Sequence, residues 1–562
     1  MSDVQDALKG KLIVGIDLGT TNSGVAIWNE KRDKTIMLED RDGHQLIPSV
    51  VGWDTSQQTW VVGHAAKELG NKFPKNVAYS VKRLIGRWFT DSEVLSSLPE
   101  LPYKMISGGG KDPLRDVIVC FGASESDGKL QLAASEVSSK VLSKLRQDAS
   151  DKLGVPLTDL KHAVITVPAY FNVLQRRATI ESGRIAGFEG VYILNEPTAA
   201  ALAYGPTVLG PEERRILVYD LGGGTFDISL LDVSRDEIGY IFYTRVVDGD
   251  THLGGDDIDA SIVRWLIAEI EKRYGYPVLP DDQLTRERLR SAGEQAKIEL
   301  SNTQKNTVWI ELPSLDLGSS VPFDARIEIT RAQLEECARD VIQRTLRITK
   351  RAVRDVAGFN WEQIDEIILV GGQTLMPAVQ REVEALTGHK PRVNDRPQLA
   401  VALGAAEYAH ILSLGQEKFQ NNALINVIAL PLGIRLEEST FVPLVPANAT
   451  LPHSSEAYPV TTVEDNQTEI QVEIYQAARE DLPINQCILL GSISMEVQPA
   501  PARTPKFEVI FEVQADGTMK VIVTNTKNRQ HKVLDIFEGK KILVWRDRIP
   551  TLTGEEKLET DQ

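Results

Sequence analysis

Apolar residues follow two rhythms along this chain. From residue 11 to about 412, short apolar runs alternate with segments of helical period. Ala163–Val167 and Ile364–Val370 read as buried strands, and Leu174–Ala186 and Glu335–Val353 as helices. Alternation of this kind predicts α/β architecture. From Ile434 to about Leu534 the period drops to two. Glu469–Tyr475 alternates strictly, as a half-buried strand does. Phe507–Val513 and Met519–Val523 flank Gln514–Thr518, where Asp516-Gly517 signals a hairpin. A β-sandwich of about 100 residues is expected there. Between the two regions a polar stretch, Gln416–Asn422, leads into a short apolar run, Ala423–Leu430. That run reads equally well as an interdomain linker or as a strand of the next domain. The expected boundaries are 11–412, 413–430, 431–536 and a short tail at 537–562.

Two glycine-threonine turns punctuate the α/β part. Asp17-Leu18-Gly19-Thr20-Thr21-Asn22 lies between the apolar runs Leu12–Ile16 and Gly24–Trp28. Asp220-Leu221-Gly222-Gly223-Gly224-Thr225-Phe226-Asp227 lies between Ile216–Tyr219 and Ile228–Leu231. Strand, Gly/Thr turn and strand make a hairpin. Its appearance twice points to two related lobes. Glycine lets backbone N–H groups close around a phosphate, and threonine hydroxyls add donors. An aspartate beside a phosphate is repelled unless a cation lies between them. For one such turn, an ordinary hairpin is an equal reading. Two turns with the same Asp-Leu-Gly opening make it a poor one.

Composition narrows the class. The 562 residues exceed one core, so at least two domains are expected. A net charge of −17 argues against a nucleic-acid surface. The polar stretch Met1–Gly10 has no signal core, and no apolar run reaches the ~18 residues of a membrane span. A cytoplasmic location is expected. Cys120, Cys337 and Cys487 read as buried small apolar residues.

In these two turns the chain resembles the DnaK-type heat-shock chaperones (the Hsp70 family). The resemblance continues through Val167–Asn172, Asn195–Ala201 and Val370–Thr374 and covers roughly residues 11–535. It implies an actin-like, ribonuclease H-like two-lobed ATPase domain followed by a β-sandwich that binds peptides. It also implies ATP/ADP, Mg²⁺ and K⁺ as ligands. Unfolded or extended apolar peptides, a J-domain co-chaperone and a nucleotide exchange factor are the implied partners.

By that resemblance, Gly19, Thr20, Thr21 and Asn22 hold the β/γ-phosphates from one side, and Gly222, Gly223, Gly224 and Thr225 from the other. Asp17 and Asp220 organise hydrated magnesium through water. Lys82, inside Lys-Arg-Leu-Ile-Gly-Arg, matches the family's catalytic lysine; by itself a Lys-Arg pair on a helix is usually a solvated face. Glu196 matches a carboxylate that orders metal-bound water, although Pro197-Thr198 also makes it a helix-start residue. Asp227 matches an acid that positions potassium and water. Thr225 counts among both the catalytic and the binding positions. Glu294, Lys297 and Ser301 share one helical face, which in the family meets adenosine; a surface salt-bridge face is the plainer reading. Gly255, Gly371, Gly372 and Gln373 complete the expected nucleotide site. Leu375 stands where the family usually has an arginine that stacks on the adenine.

The peptide pocket implied by the resemblance uses Ile434, Val460, Ile470, Val472 and Phe507. The same residue types would serve an inert sandwich core. Glu437 falls where the family has an apolar residue arching over the peptide. Tyr192 and Asn426 replace an arginine and an acidic residue tied to J-domain coupling. The 537–562 stretch is too short for the family's helical lid, so a member without a lid is expected. Two other functions remain open: a nucleotide-controlled regulatory or co-chaperone partner with weak peptide binding, and, more remotely, a small-molecule kinase on the same fold. The kinase has no use for the sandwich.

Overall fold

The computed structural model describes residues 8, 10–99, 101–122, 130–208, 213–235, 240–278, 282–302, 304–315, 317, 322–393, 396–414, 423–436, 440–514 and 517–536. Its first sheet is ordered Gly190–Asn195, His162–Val167, Ile13–Asp17, Asn22–Asn29, Lys34–Leu38. Ile13–Asp17 pairs antiparallel with Asn22–Asn29, placing Gly15 opposite Ala26, and parallel with His162–Val167. Parallel pairing buries both faces of a strand, so Ala163–Val167 carries apolar residues and one threonine throughout.

A second sheet repeats the plan. Arg214–Leu221 pairs antiparallel with Phe226–Arg235 across the second turn and parallel with Glu366–Val370. Both hairpins expected from the sequence are therefore present, each with a parallel strand against its first arm. The helices Glu196–Val208 and Ala400–Ser413 pack between the sheets. Their alanines Ala199, Ala200, Ala405 and Ala409 share one core with Val164 of the first sheet and Val218 and Ile368 of the second. Small side chains bring these helices close enough that a Cβ on Gly404 would strike the backbone of Ala199.

The helix expected at Glu335–Val353 runs Arg331–Lys350 and starts earlier, because Thr330 and Gln333 form a capping box. A π-turn, Arg351–Val356, follows it. The apolar run after residue 422 is divided: Asn426–Ile428 bonds to Asn448–Leu451 of the sandwich part, with Ile428 N donating to Ala449 O at 2.9 Å, and its first three residues go elsewhere. Ala423–Ile425 joins the second sheet as an edge strand parallel to Tyr240–Asp250. The three cysteines are only half-buried, not buried as expected; Cys337 packs at the margin of the core of the second α/β half.

The C-terminal part is a two-sheet sandwich. One sheet is ordered Thr440–Val445, Leu432–Leu436, Glu469–Gln476, Ile488–Glu496. The other centres on Lys506–Val513, Met519–Asn525 and His531–Asp535. Inward residues such as Ile474, Phe507, Phe511 and Val521 make one core. The sandwich sits against the α/β part. Val173 N donates to Gln476 Oε1 at 2.9 Å, Val247 N to Asn448 Oδ1 at 2.8 Å, and Tyr170 Oη to Ala478 O at 3.2 Å. Val427, just past the edge strand, packs on Ala169 and Val247. Glu437, and the 537–562 stretch on which the expectation about a lid rests, lie outside the described residues.

Candidate functional site

The two glycine-threonine turns meet across a cavity of about 360 Å³. They approach so closely that a Cβ on Gly223 would collide with Thr21 Oγ1, and one on Gly224 with the side chain of Thr20. No residue but glycine allows that approach. The helix Gly255–Tyr274 starts at the same wall: Gly255 N donates to Gly222 O at 3.0 Å and Asp256 N to Gly223 O at 2.7 Å. The amino terminus of this helix, with its partial positive charge, thus faces a cavity rimmed by Gly19, Thr20, Thr21, Asn22, Gly222 and Gly223. The arrangement suits a polyphosphate.

Acid groups line one end. Asp17 ends the first strand of its hairpin, Asp220 lies near the end of its own, and Glu196 opens a helix. Lys82 sits on a single 3-10 turn, Val81–Arg83, and is buried. The solvated-face alternative for an isolated Lys-Arg pair does not hold here: the ammonium leaves water because Lys82 Nζ donates to Glu196 Oε1 at 2.6 Å. Burial first, then the charge of Glu196, pushes Asp17 up to about 7, against the pull of Lys82 and a hydrogen bond from Thr166. Burial and Glu196 likewise push Asp227 up to about 7 and raise Asp220 well above the usual carboxylate range. The Lys82 ammonium and the Arg176 guanidinium, which acts on Asp227 and Glu196, do not balance the four carboxylates, so the cluster has the donor set for a hard cation. Asp17 and Asp220 both reach the cavity, and the hydrated Mg²⁺ implied by the resemblance fits them.

At the other end, Glu294 and Lys297 come from the helix Gln283–Ser301. Gly371, Gly372, Gln373 and Leu375 come from the turn after strand Glu366–Val370. Gly371 has φ 85°, a conformation that favours glycine, and a Cβ there would meet the backbone of Leu221. Lys297 Nζ donates to Asp259 Oδ2 at 2.9 Å and Gly255 O at 3.2 Å. Glu294 pairs with Lys67 at 2.8 Å.

Thr225 and Gly255 also line the cavity. Three expected positions do not. Ser301 turns its hydroxyl back to Lys297 O at 2.8 Å. Gly224 offers its carbonyl to Arg83 Nε at 2.9 Å. Asp227 lies behind the wall, where it accepts from Tyr170 N at 3.0 Å. Leu46, Asp256, Asp259, Ile298, Pro397, Gln398 and Val401 line the cavity without having been expected from the sequence, and two of them bear on the chemistry. Asp256 accepts from Thr21 Oγ1 at 3.2 Å and also from Ser80 Oγ. Its signal was available: an acid directly after Gly254-Gly255 at a helix start. Ile298 is 56% exposed and lines the same end of the cavity as Leu375, which is 36% exposed. An isolated apolar residue on a charged helix gives no such signal.

In the sandwich, Ile434, Ile470, Val472 and Phe507 share one core and are buried. Val460, on Tyr458–Thr461, pairs opposite Phe507 and is half-buried. Tyr192 is buried as well, in the core between the two sheets.

A family model described as "Hsp70 protein" matches residues 13–557, and the chain belongs to that family. It is 39% identical over 528 residues to "Chaperone protein DnaK" of Stenotrophomonas maltophilia (strain R551-3), covering 94% of this chain and 78% of the relative. It is 39% identical over 525 residues to "Chaperone protein DnaK" of Buchnera aphidicola subsp. Schizaphis graminum (strain Sg), covering 93% of this chain and 78% of that protein. Among the described residues, no helix is long and apolar enough to cross a membrane.

Proposed function

We propose that this chain is an ATP-hydrolysing chaperone whose nucleotide state controls the grip of its sandwich on extended apolar peptides. The carrying observation is the closure of two glycine-threonine turns around a cavity whose inner end holds Asp17, Lys82, Glu196 and Asp220. In this reading the two α/β halves are the lobes of an actin-like ATPase. The turns and the helix start at Gly255 hold the phosphates. Glu294, Lys297, Gly371, Gly372 and Gln373 surround the nucleoside. Leu375 and Ile298 offer the base two aliphatic surfaces.

The chemistry is attack of water on the γ-phosphoryl group. Catalysis of such a step is mainly positioning and charge stabilisation. Magnesium, held through water by Asp17 and Asp220, supplies charge neutralisation when bound, and potassium near Asp227 adds to it. Lys82, held by Glu196, keeps N–H bonds to spare, and in this reading they serve the attacking water and the transferring group. Burial of the cluster strengthens each of these interactions. Coupling to the sandwich runs through Val173, Tyr170 and the strand Ala423–Ile425, which touch it or lead into it.

Two measurements test the assignment together. Calorimetry should show ATP and ADP binding that strengthens with Mg²⁺. Asp17→Asn should retain binding but lose hydrolysis at least ~100-fold, as loss of a metal-organising group predicts. Wild-type turnover in Asp17→Asn would remove the carboxylate cluster from the mechanism.

A further inference from the structure

The base end of the nucleotide cavity is built from two turns and one helix. The turn Gly372–Leu375 packs against the turn Pro397–Leu399. Leu375, Pro397, Gln398 and Val401 line the cavity there, together with Ile298 of the helix Gln283–Ser301. All are apolar except Gln398. Apolar walls reward the ring area they cover and carry no pattern of donors and acceptors.

The polar neighbours are already engaged. Lys297 Nζ is held by Asp259 and by Gly255 O, and Glu294 by Lys67. Gln373 Nε2 donates to Met376 Sδ at 3.6 Å. Gln398 differs from them. It is half-buried and lines the cavity, while its Oε1 is turned inward and has no hydrogen-bond partner. No bond to that oxygen fixes which end of the amide faces the cavity. A half-turn about the last side-chain bond exchanges a donor for an acceptor in the same shape, and here it breaks no bond at the oxygen.

The two purines differ in that same respect. Adenine carries an amino donor beside N7, and guanine a carbonyl acceptor beside N7. A group pinned as donor or as acceptor satisfies one base and leaves the other unpaired. Sites pinned in this way discriminate by roughly 10⁴-fold. An amide free to turn satisfies both. We propose that this cavity takes guanine nucleotides as well as adenine nucleotides, with Gln398 turning its amide to meet the group that each base presents. The proposal rests on the nucleotide reading above and widens its substrate class to purine nucleotides. Pyrimidine nucleotides are disfavoured, because the smaller ring covers less of the apolar wall.

Calorimetry on the full wild-type chain with Mg²⁺ compares ADP, GDP and CDP. ADP and GDP should bind within ~10-fold of each other, about 1.4 kcal/mol, and CDP at least ~10-fold more weakly than either. GDP weaker than ADP by more than ~10-fold overturns the proposal, and so does CDP matching the purines. Gln398→Leu should weaken ADP and GDP alike. Gln398→Glu, which offers acceptors only, should open the ratio between the two by at least ~10-fold. Unchanged affinities in Gln398→Leu, or an unchanged ratio in Gln398→Glu, overturn the part given to Gln398. The wild-type comparison stands even if a variant misfolds. Failure of ADP itself to bind would remove the nucleotide site proposed above, whereas loss of GDP alone would leave that site intact and remove only its breadth.

Discussion

Lys82 Nζ stands 2.6 Å from Glu196 Oε1, and both side chains are buried. The pair lies among Asp17, Asp220 and Asp227, whose carboxyls burial has raised. A buried ion pair of this kind contributes little to stability by itself, but removing one partner is costly. Its retention inside a cavity wall is better explained by chemistry than by folding.

Without metal, the raised carboxyls make stability depend on pH. A folded pKa above the unfolded one means that the stabilising contribution is full below about 4 and is lost as pH rises through about 7. Lys82 moderates that loss by lowering Asp17 and Asp227. Lys82→Met should therefore destabilise the metal-free chain more at pH 8 than at pH 5. Urea midpoints at the two pH values check this. An equal loss at both would show that the lysine does not face the acids.

Leu375→Arg should tighten ADP binding by up to about tenfold, since a stacked guanidinium adds on the order of 1 kcal/mol. Ile298→Asp should weaken it, by placing a carboxylate against the base. Calorimetry decides both. Unchanged affinity in both variants would move the base away from this end of the cavity.

The hairpins, the buried strands Ala163–Val167 and Ile364–Val370, the sandwich and most of the cavity lining were legible in the sequence, but not that those two strands pair parallel with the hairpins. Glycine next to threonine at an apolar strand end leaves few alternatives. What was hidden depended on contacts distant in the chain. Asp227 looked like a cavity acid, yet the backbone of Tyr170 draws it behind the wall. Ser301 has the helical spacing to join Glu294 and Lys297, but its hydroxyl is satisfied by its own helix. The Ala423–Ile425 strand could not be assigned to a sheet because three residues carry no pairing preference. Its partner, Tyr240–Asp250, is about 180 residues away.

That edge strand supplies another prediction. Its backbone bonds to Tyr240–Asp250 should form and break with the nucleotide. Amide hydrogen exchange at Leu424 and Ile425 should be slow with ATP and faster with ADP. Equal exchange in both states would mean a decoupled sandwich and would favour the regulatory-partner reading.

The peptide site separates Val460 from its neighbours. Val472 lies inside the sandwich core, so Val472→Asp should unfold the sandwich by burying an unpaired charge. Val460 is half-buried at the edge of that core. Val460→Asp should weaken binding of a labelled apolar heptapeptide at least ~10-fold, about 1.4 kcal/mol, with the unfolding midpoint nearly unchanged. Anisotropy and urea titrations read the two effects separately. Undiminished peptide binding in a folded Val460→Asp chain would place the peptide elsewhere.

The most direct measurement is steady-state ATP turnover of the wild-type chain and Lys82→Ala, each with and without an extended apolar peptide. The account predicts turnover in the wild type that rises with peptide. It also predicts loss of turnover by at least ~100-fold in Lys82→Ala, with ATP still bound. Hydrolysis at the wild-type rate in Lys82→Ala, or turnover indifferent to peptide, would contradict it.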